Sequence, residues 1–159
     1  MRYLLLALAL LPNIAYADNS SLECLALNIY HEARGESMQG QLAVAHVTLN
    51  RARDKRFPNT VCGVVYQAKH SKWWKEKHDK LVPLKNKCQF SWYCDGRSDE
   101  IKNEDAWTWC ISLAQMVLQG DSKDPTHGAV YYYNPAKATP YWRKSFKQVA
   151  MVDNHVFLK

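Results

Sequence analysis

The sequence predicts an α+β fold, in which a mostly helical core precedes a small C-terminal antiparallel β-sheet. Apolar residues recur at helical spacing in several segments before residue 120. β-Prone segments collect near the C-terminus, at residues 129–133, 149–152 and 155–158, and Asp153-Asn154 between the last two is typical of a hairpin turn. Helices first and strands last indicate the α+β class.

Three longer helices are predicted. Ser20 and Glu23 form an S-x-x-E capping box, so we expect the first helix to start with Ser20 as its N-cap and to stop near Gly35. The second helix is expected over about residues 38–53, and it should be largely buried because its apolar side chains, among them Leu42, Val47 and Leu49, leave few exposed positions. The third fits residues 105–119.

Shorter elements are expected between the second and third helices. The Phe-Pro-Asn-Thr segment that ends at Thr60 stops the second helix, and Asn59 or Thr60 caps a helical turn over residues 61–66. Residues 69–87 are rich in lysine, and we expect an exposed loop. Residues 88–96 are predicted to form an ordered loop tied by cysteines.

The N-terminal segment has the features of a secretory signal peptide. Arg2 supplies a positive charge, residues 3–11 are apolar, and residues 15–17 form a small-x-small cleavage site. The apolar run is too short to cross a bilayer, which needs roughly 20 residues. We therefore expect cleavage near Ala17, export to the periplasm or the extracellular space without stable membrane insertion, and one domain over residues 18–159.

Cysteine usage fits export. The five cysteines all follow the predicted cleavage site: Cys24, Cys62, Cys88, Cys94 and Cys110. An oxidising compartment favours two disulfides and one leftover thiol, and Cys88 with Cys94 is the first expectation because the two are close in the chain. The sequence has no cysteine or histidine cluster with zinc spacing, so we expect no metal and no cofactor.

The charge balance favours anionic partners. With 21 basic and 15 acidic residues, the formal net charge is +6. A basic exported protein is attracted to cell-wall material, membrane surfaces or nucleic acid, although charge alone is equally typical of a soluble basic domain. The basic residues are scattered outside residues 69–87 and no nucleic-acid motif occurs, so we expect no nucleic-acid partner.

Glu32 has an unusual predicted position. Ile29 and Leu25 precede it on the apolar stripe, which places Glu32 beside the buried face in the last turn of the first helix. The helix C-terminus and partial burial both raise a carboxyl pKa. A carboxylic acid that stays protonated near neutral pH can cleave a glycosidic bond by donating its proton. The alternative is a structural ion pair of Glu32 with Arg34 or Arg51.

Two neighbours of Glu32 suggest other chemistry. Glu36 is either a second carboxylate, a buffer for Glu32, or an acidic residue placed favourably before the second helix. His31-Glu32 starts the zinc-protease motif H-E-x-x-H, but Gly35 occupies the second histidine position. The zinc-protease hypothesis is therefore excluded.

Several motifs occur in a fixed order along the chain. They are Y-H-E-A-R-G-E at 30–36, G-Q-L-A-V-A at 40–45, N-R at 50–51, F-P-N-T-V at 57–61, V-V-Y at 64–66, C-Q-F-S-W at 88–92, C-D-G at 94–96, G-A-V-Y-Y at 128–132 and H-V-F at 155–157. Together they closely resemble the spore cortex-lytic enzyme family of cell-wall hydrolases.

The resemblance implies a lysozyme-like catalytic core that cuts peptidoglycan between N-acetylmuramic acid and N-acetylglucosamine. Family members are regarded as lytic transglycosylases, and the first glutamate of E-A-R-G-E, which is Glu32 here, is their catalytic residue. In that reaction the C6 hydroxyl of muramic acid attacks, so no second carboxylate is needed. If water attacks instead, Glu36 or Asp95 is the candidate second carboxylate. We expect a monomer with peptidoglycan as its partner.

Candidate substrate-binding residues follow from the chemistry of the glycan. Aromatic rings stack on sugar faces, amides and hydroxyls bind the acetamido groups, and a histidine can orient a carboxylate. The candidates are Phe90, Trp92, Tyr132 and Trp142 for stacking, Gln89 and Ser91 for the acetamido groups, and His155 for orientation.

Two other functions are compatible with the sequence. One is a cysteine amidase or peptidase of the wall's peptide stems, with Cys88 or Cys94 as nucleophile and His127 or His155 as base, although no nucleophile motif surrounds either cysteine. The other is a non-catalytic wall-binding module, which would explain the charge and the tryptophans but would give Glu32 no functional role.

Overall fold

The computed structural model describes residues 19–159, so the predicted signal peptide lies outside the described residues. The α-helices within this range are α1 (Asn19–Ala33), α2 (Met38–Arg53), α3 (Val61–Val65), α4 (Lys72–His78) and α5 (Glu104–Gln119). The strands are β1 (Ala68–His70), β2 (Pro83–Cys88), β3 (Tyr131–Tyr133), β4 (Gln148–Val152) and β5 (His155–Leu158). Short 3-10 helices cover Ser91–Cys94 and Tyr141–Ser145. The predicted α+β class is confirmed.

Helix α1 is the centre of the main apolar core and packs against α2, α3 and α5. Leu25 and Ile29 are fully buried, as their spacing predicted. The helix ends at Ala33, before Gly35, but it begins at Asn19. The predicted N-cap is therefore wrong: Ser20 lies inside the first turn, because the chain is already helical one residue earlier.

Helix α2 has the predicted bounds and is almost entirely buried. The side chain of Ser37 accepts a hydrogen bond from Gly40 N and so caps the helix. The same hydroxyl bonds Asp153 in the β4–β5 turn, at 2.9 Å to Oδ1 and 2.8 Å to Oδ2. The start of α2 is thereby tied to the C-terminal hairpin.

The other predicted helices also occur, each within one residue of its expected bounds. Thr60 caps α3 by accepting from Gly63 N at 3.0 Å. Helix α5 starts one residue earlier than predicted, at Glu104, because the Asn103 side chain accepts from Ala106 N and caps it there. Gly120 follows α5 in the left-handed region, with φ of 82°.

The C-terminal sheet has the strand order β3-β5-β4 and is antiparallel throughout. The predicted β4–β5 hairpin is confirmed, with Asp153 at φ 48° in its turn. Phe157 packs on Ala43 and Val47 of α2 in a second apolar cluster. Tyr132 is paired with Phe157 in the sheet, so α2 indirectly supports the position of Tyr132.

Residues 68–88 form an ordered arm, and the expected loop over residues 69–87 is wrong. Strands β1 and β2 pair in an antiparallel two-stranded sheet, with Ala68 opposite Cys88 and α4 between the strands. The Ser71 side chain accepts from Trp74 N to start α4, and Asp79 ends it in the left-handed region. Local capping and strand pairing order this segment even though most of its side chains are exposed.

Two disulfides link the described residues, and the predicted cysteine usage is confirmed. Cys24–Cys62 joins α1 to α3, and Cys88–Cys94 closes the loop that follows β2. Cys110 is a free thiol, and it is buried in α5. Within residues 19–159, no helix is long and apolar enough to cross a membrane.

Candidate active site

A cavity of about 350 Å³ lies at the end of α1, between α2, the Cys88–Cys94 loop and β3. It combines one carboxyl, one guanidinium, one amide and four aromatic rings. Its lining residues are Glu32, Arg51, Gln89, Phe90, Tyr131, Tyr132 and Trp142.

Glu32 is partly buried in the last turn of α1, and its side chain lines the cavity. The Tyr132 hydroxyl donates a hydrogen bond to Glu32 Oε2 at 2.8 Å. Burial raises the pKa of Glu32, while the hydrogen bond from Tyr132 and the charges of Arg51 and Lys137 oppose this effect only in part. The net result is a carboxyl that holds its proton at a higher pH than an exposed glutamate does.

The alternative of a structural ion pair is not observed. Arg34 Nη1 donates to Tyr30 O at 3.0 Å, and its guanidinium lies over the Tyr30 ring. Arg51 Nε donates to Val130 O at 2.7 Å. Among the ion pairs of residues 19–159, none includes Glu32.

Arg51 brings a buried positive charge to the cavity. Its residue is only 3% exposed, and its guanidinium lies 5.5 Å from the ring centre of Phe57 and 5.1 Å from that of Phe90. With its amide oxygen turned toward the guanidinium, Gln89 accepts from Arg51 Nη2 at 3.2 Å. Burial lowers the pKa of Arg51, but an arginine remains charged at physiological pH. The charge of Arg51 therefore acts on Glu32 without pairing with it.

Aromatic rings form a large part of the cavity wall. The Trp142 ring centre lies 5.7 Å from that of Tyr131, which also contacts Phe146 at 4.1 Å. The Tyr132 ring stacks on the ring of Phe157 in β5, and the two ring centres are 5.6 Å apart. Apolar ring faces next to hydrogen-bonding groups suit a sugar, which has both kinds of surface.

Four of the predicted substrate-binding residues line this cavity, and three do not. Gln89, Phe90, Tyr132 and Trp142 line it together with Glu32. Ser91 instead opens a 3-10 helix, and His155 contacts the Tyr132 ring at 5.8 Å without reaching the cavity lining.

Trp92 belongs to the core. It is 8% exposed, and its indole N–H donates to Asn28 Oδ1 at 3.1 Å. Asn28 is itself fully buried and donates to Thr48. The ring of Trp92 stacks on His31 at 4.5 Å. These contacts connect α1, α2 and the Cys88–Cys94 loop behind the cavity.

Neither candidate for a second carboxylate lines the cavity. Glu36 lies in the turn between α1 and α2, where its backbone N–H donates to Ala33 O and its carbonyl accepts from the Gln41 side chain. Asp95 accepts from Arg97 N at 2.8 Å. Among residues 19–159, Glu32 is the sole carboxyl that lines the cavity.

The sequence did not assign two of the lining residues to the site. Arg51 was considered only as an ion-pair partner of Glu32, and Tyr131 had no assigned role. Both belong to the ordered motifs quoted above, at 50–51 and 128–132, which was the available signal.

The cysteine-nucleophile alternative is wrong. Cys88 and Cys94 are bonded to each other, so neither offers a thiolate. The remaining thiol, Cys110, is buried, and burial raises its pKa to about 11.

A partly buried carboxyl in an aromatic-lined cavity is the kind of site found in enzymes that cleave glycosidic bonds. The model of the cell wall hydrolase family matches residues 35–158, and the chain belongs to this family.

The chain is 33% identical over 149 residues to the spore cortex-lytic enzyme of Bacillus cereus, covering 93% of this chain and 47% of that protein. It is also 33% identical to that of Bacillus subtilis, over 88% of this chain and 38% of that protein. The chain thus spans about half or less of the length of these curated relatives.

Two solved structures have a similar fold. The catalytic domain of the germination-specific lytic transglycosylase SleB from Bacillus anthracis matches with a TM-score of 0.58 and 30% identity, covering 94% of this chain and all of that chain. The catalytic domain of the Bacillus cereus SleB protein matches with a TM-score of 0.58 and 29% identity, covering 91% and 94%. The resemblance inferred from the motifs is confirmed.

Proposed function

We propose that this protein cleaves peptidoglycan glycan strands between N-acetylmuramic acid and N-acetylglucosamine, as a lytic transglycosylase. The observation that carries the proposal is geometric: the Glu32 carboxyl accepts a hydrogen bond from Tyr132 and faces a cavity with aromatic walls. Burial in this position raises its pKa. The role of Glu32 rests on this geometry, since the family match begins at residue 35.

In the first step Glu32 donates its proton to the oxygen that links the two sugars. The bond between that oxygen and the anomeric carbon of muramic acid breaks, and the electron pair leaves with the oxygen. The muramic ring passes through an oxocarbenium-like state, and Glu32 becomes a carboxylate.

In the second step the C6 hydroxyl of the same muramic acid attacks its anomeric carbon. Glu32 accepts the hydroxyl proton and is restored to the acid form. The products are a strand ending in 1,6-anhydro-muramic acid and a strand with a free hydroxyl on N-acetylglucosamine. One carboxyl serves both steps, which agrees with Glu32 as the sole carboxyl that residues 19–159 bring to the cavity lining.

Tyr132 and Arg51 assist the change in charge of Glu32. The Tyr132 hydrogen bond stabilises the carboxylate that forms in the first step. The guanidinium of Arg51 also stabilises that negative charge through space. Both groups are held by contacts outside the cavity, so they need little rearrangement during the reaction.

The remaining lining residues suit the substrate. Trp142 and Tyr131 offer ring faces for the sugars, and Gln89 offers an amide for an acetamido group. Phe90 is 2% exposed, so its contribution is to pack against Arg51.

We further propose that the protein acts outside the cytoplasm, in the periplasm or the extracellular space. The signal-like residues 1–17 and the two disulfides support this, because disulfides persist in oxidising compartments. The mature domain would then cover residues 18–159 and act as a monomer on peptidoglycan.

Digestion of purified sacculi tests the proposal. Wild-type protein should release fragments with anhydro-muramic ends, identified by mass spectrometry, and Glu32→Gln should lose roughly 100- to 10,000-fold in rate. Glu36→Gln is the matched control, with the same chemical change four residues away and outside the cavity, and should retain activity. Reducing muramic ends would show water as the nucleophile, and full activity of Glu32→Gln would refute the assignment.

A further inference from the structure

A second cavity, of about 260 Å³, lies where the arm joins the rest of the domain. We call it the arm pocket. It is lined by Gln67, Ala68, Lys69, Lys87, Cys88 and Gln89.

The arm pocket neighbours the candidate active site. Gln89 lines both cavities. Its backbone N–H donates to Gln67 O at 2.8 Å, and the pairing of Ala68 with Cys88 holds the two strands of the arm together beside it. The two cavities therefore adjoin at Gln89.

The arm carries nearly all of the excess positive charge. Without Arg2 and Asp18, residues 19–159 hold 20 basic and 14 acidic residues, a net charge of +6. Residues 68–88 hold seven of these basic residues and two of the acidic ones, a net charge of +5. The remaining described residues contribute only +1. The arm is therefore a concentrated source of positive potential beside the cleft.

Lys69 and Lys87 bring that charge to the pocket wall. Both are exposed, and no acidic side chain from the described part of the chain lines the pocket with them. Neither takes part in an ion pair recorded within residues 19–159, whereas Lys75, farther along the arm, pairs with Asp79. The pocket is thus suited to a ligand that brings its own negative charge.

A buried acceptor narrows the class of ligand. Gln67 Oε1 is buried and has no hydrogen-bond partner within the described structure. An unsatisfied buried acceptor is costly. Because this oxygen has almost no accessible surface, the amide of Gln67 must turn toward the pocket before a ligand N–H can satisfy it. A peptide with free acidic groups offers both N–H donors and carboxylates, whereas a phosphate polymer has no N–H to donate.

We propose that the arm pocket binds the anionic peptide stem carried by muramic acid in the wall strand. This inference rests on the proposed function, because it requires a glycan strand in the neighbouring cavity. The stem is linked to the muramic sugar and has backbone N–H groups and free carboxylates. Lys69 and Lys87 bind the carboxylates, and Gln67 accepts from an amide of the stem.

The kinetic test compares two substrates and three proteins. The substrates are glycan strands with their peptide stems and the same strands stripped of stems by an amidase. The proteins are wild type, the double variant Lys69→Gln with Lys87→Gln, and the double variant Lys77→Gln with Lys80→Gln. The last is the matched control, because it removes two charges from the same arm outside the pocket lining.

We expect the pocket variant to raise KM for stem-bearing strands roughly tenfold and to leave kcat unchanged. On stripped strands all three proteins should have the same KM. The control variant should behave as wild type does on both substrates at physiological salt. An equal rise in KM for the control, or equal cleavage of both substrates by wild type, would overturn the inference.

A binding measurement separates this inference from the proposed function. The isolated stem peptide is titrated calorimetrically into wild type and into the pocket variant, and we expect binding by wild type that the pocket variant weakens about tenfold. Loss of strand cleavage with intact stem binding would refute the proposed function alone. No binding of the peptide, or binding of polyphosphate as tight as that of the peptide, would overturn the pocket assignment.

Discussion

Replacing Tyr132 with phenylalanine tests how the site controls the proton on Glu32. The substitution removes one hydroxyl and keeps the ring, which stacks on Phe157 and supports the cavity wall. The lost hydroxyl donates to Glu32 Oε2 at 2.8 Å and therefore stabilises the ionised carboxylate. Without it, the pKa of Glu32 should rise further, because burial is then opposed only by the more distant charges.

The strength of this hydrogen bond sets the size of the effect. A hydrogen bond to a charged group contributes about 1.5–3 kcal/mol. Since about 1.4 kcal/mol is a factor of ten, the ratio of protonated to ionised Glu32 at a fixed pH should increase roughly 10- to 150-fold. The alkaline limb of the pH profile of kcat/KM should therefore move to higher pH, because the acid form persists longer.

The assay is the initial rate of release of soluble fragments from sacculi, measured across pH. Tyr133→Phe is the matched control: Tyr133 is the next residue in β3, contacts Trp142 and does not line the cavity. It should leave the profile unchanged. If Tyr132→Phe lowers the rate equally at every pH without moving the alkaline limb, the hydrogen bond does not control the proton of Glu32.

Three further predictions concern stability and charge. Replacing Cys24 and Cys62 with alanine should cost about 4 kcal/mol of unfolding free energy in urea, because that disulfide closes a 38-residue separation; a loss below about 1 kcal/mol would contradict this. Arg51→Met should abolish most activity. It should also lower the unfolding free energy in urea by about 1–3 kcal/mol, because the buried Val130 carbonyl loses its hydrogen-bond donor. An unchanged unfolding free energy would contradict this structural role of Arg51. Glu32→Gln should raise Tm relative to wild type at about pH 8 more than at a pH below 4.5: a carboxyl with a raised native pKa stabilises the fold at low pH and loses that contribution as pH rises through the native pKa. An equal difference in Tm at both pH values would refute that linkage.

Helices were predictable from their apolar spacing and from the residues that stop them. The bounds of α2 follow from the apolar residues between Met38 and Arg53 and from the break at residues 57–60, and both signals are local. The arm was not predictable, because β1 and β2 are short and mostly polar and become strands only by pairing with each other. The pairing of Cys24 with Cys62 likewise depends on the packing of α1 against α3.

Part of the candidate site was predictable for a similar reason. Helical spacing places Glu32 next to the apolar stripe, and the Y-H-E-A-R-G-E motif distinguishes it from an ordinary ion-pair glutamate. Neither Phe90 nor Trp92 could be recognised as a packing residue, since the sequence does not reveal which way each ring points. Trp92 turns inward because Asn28 offers a buried acceptor for its indole N–H. That acceptor belongs to a residue 64 positions away in the chain.

Titration of the Glu32 carboxyl by ¹³C NMR tests the central claim most directly. The resonance can be assigned by its absence from Glu32→Gln. Burial beside Tyr132 and Arg51 predicts a midpoint above 4.5, the ordinary value for a glutamate pKa. A midpoint at or below 4.5 would mean that Glu32 is already ionised near neutral pH to the same extent as an exposed glutamate, and it would contradict its role as the proton donor.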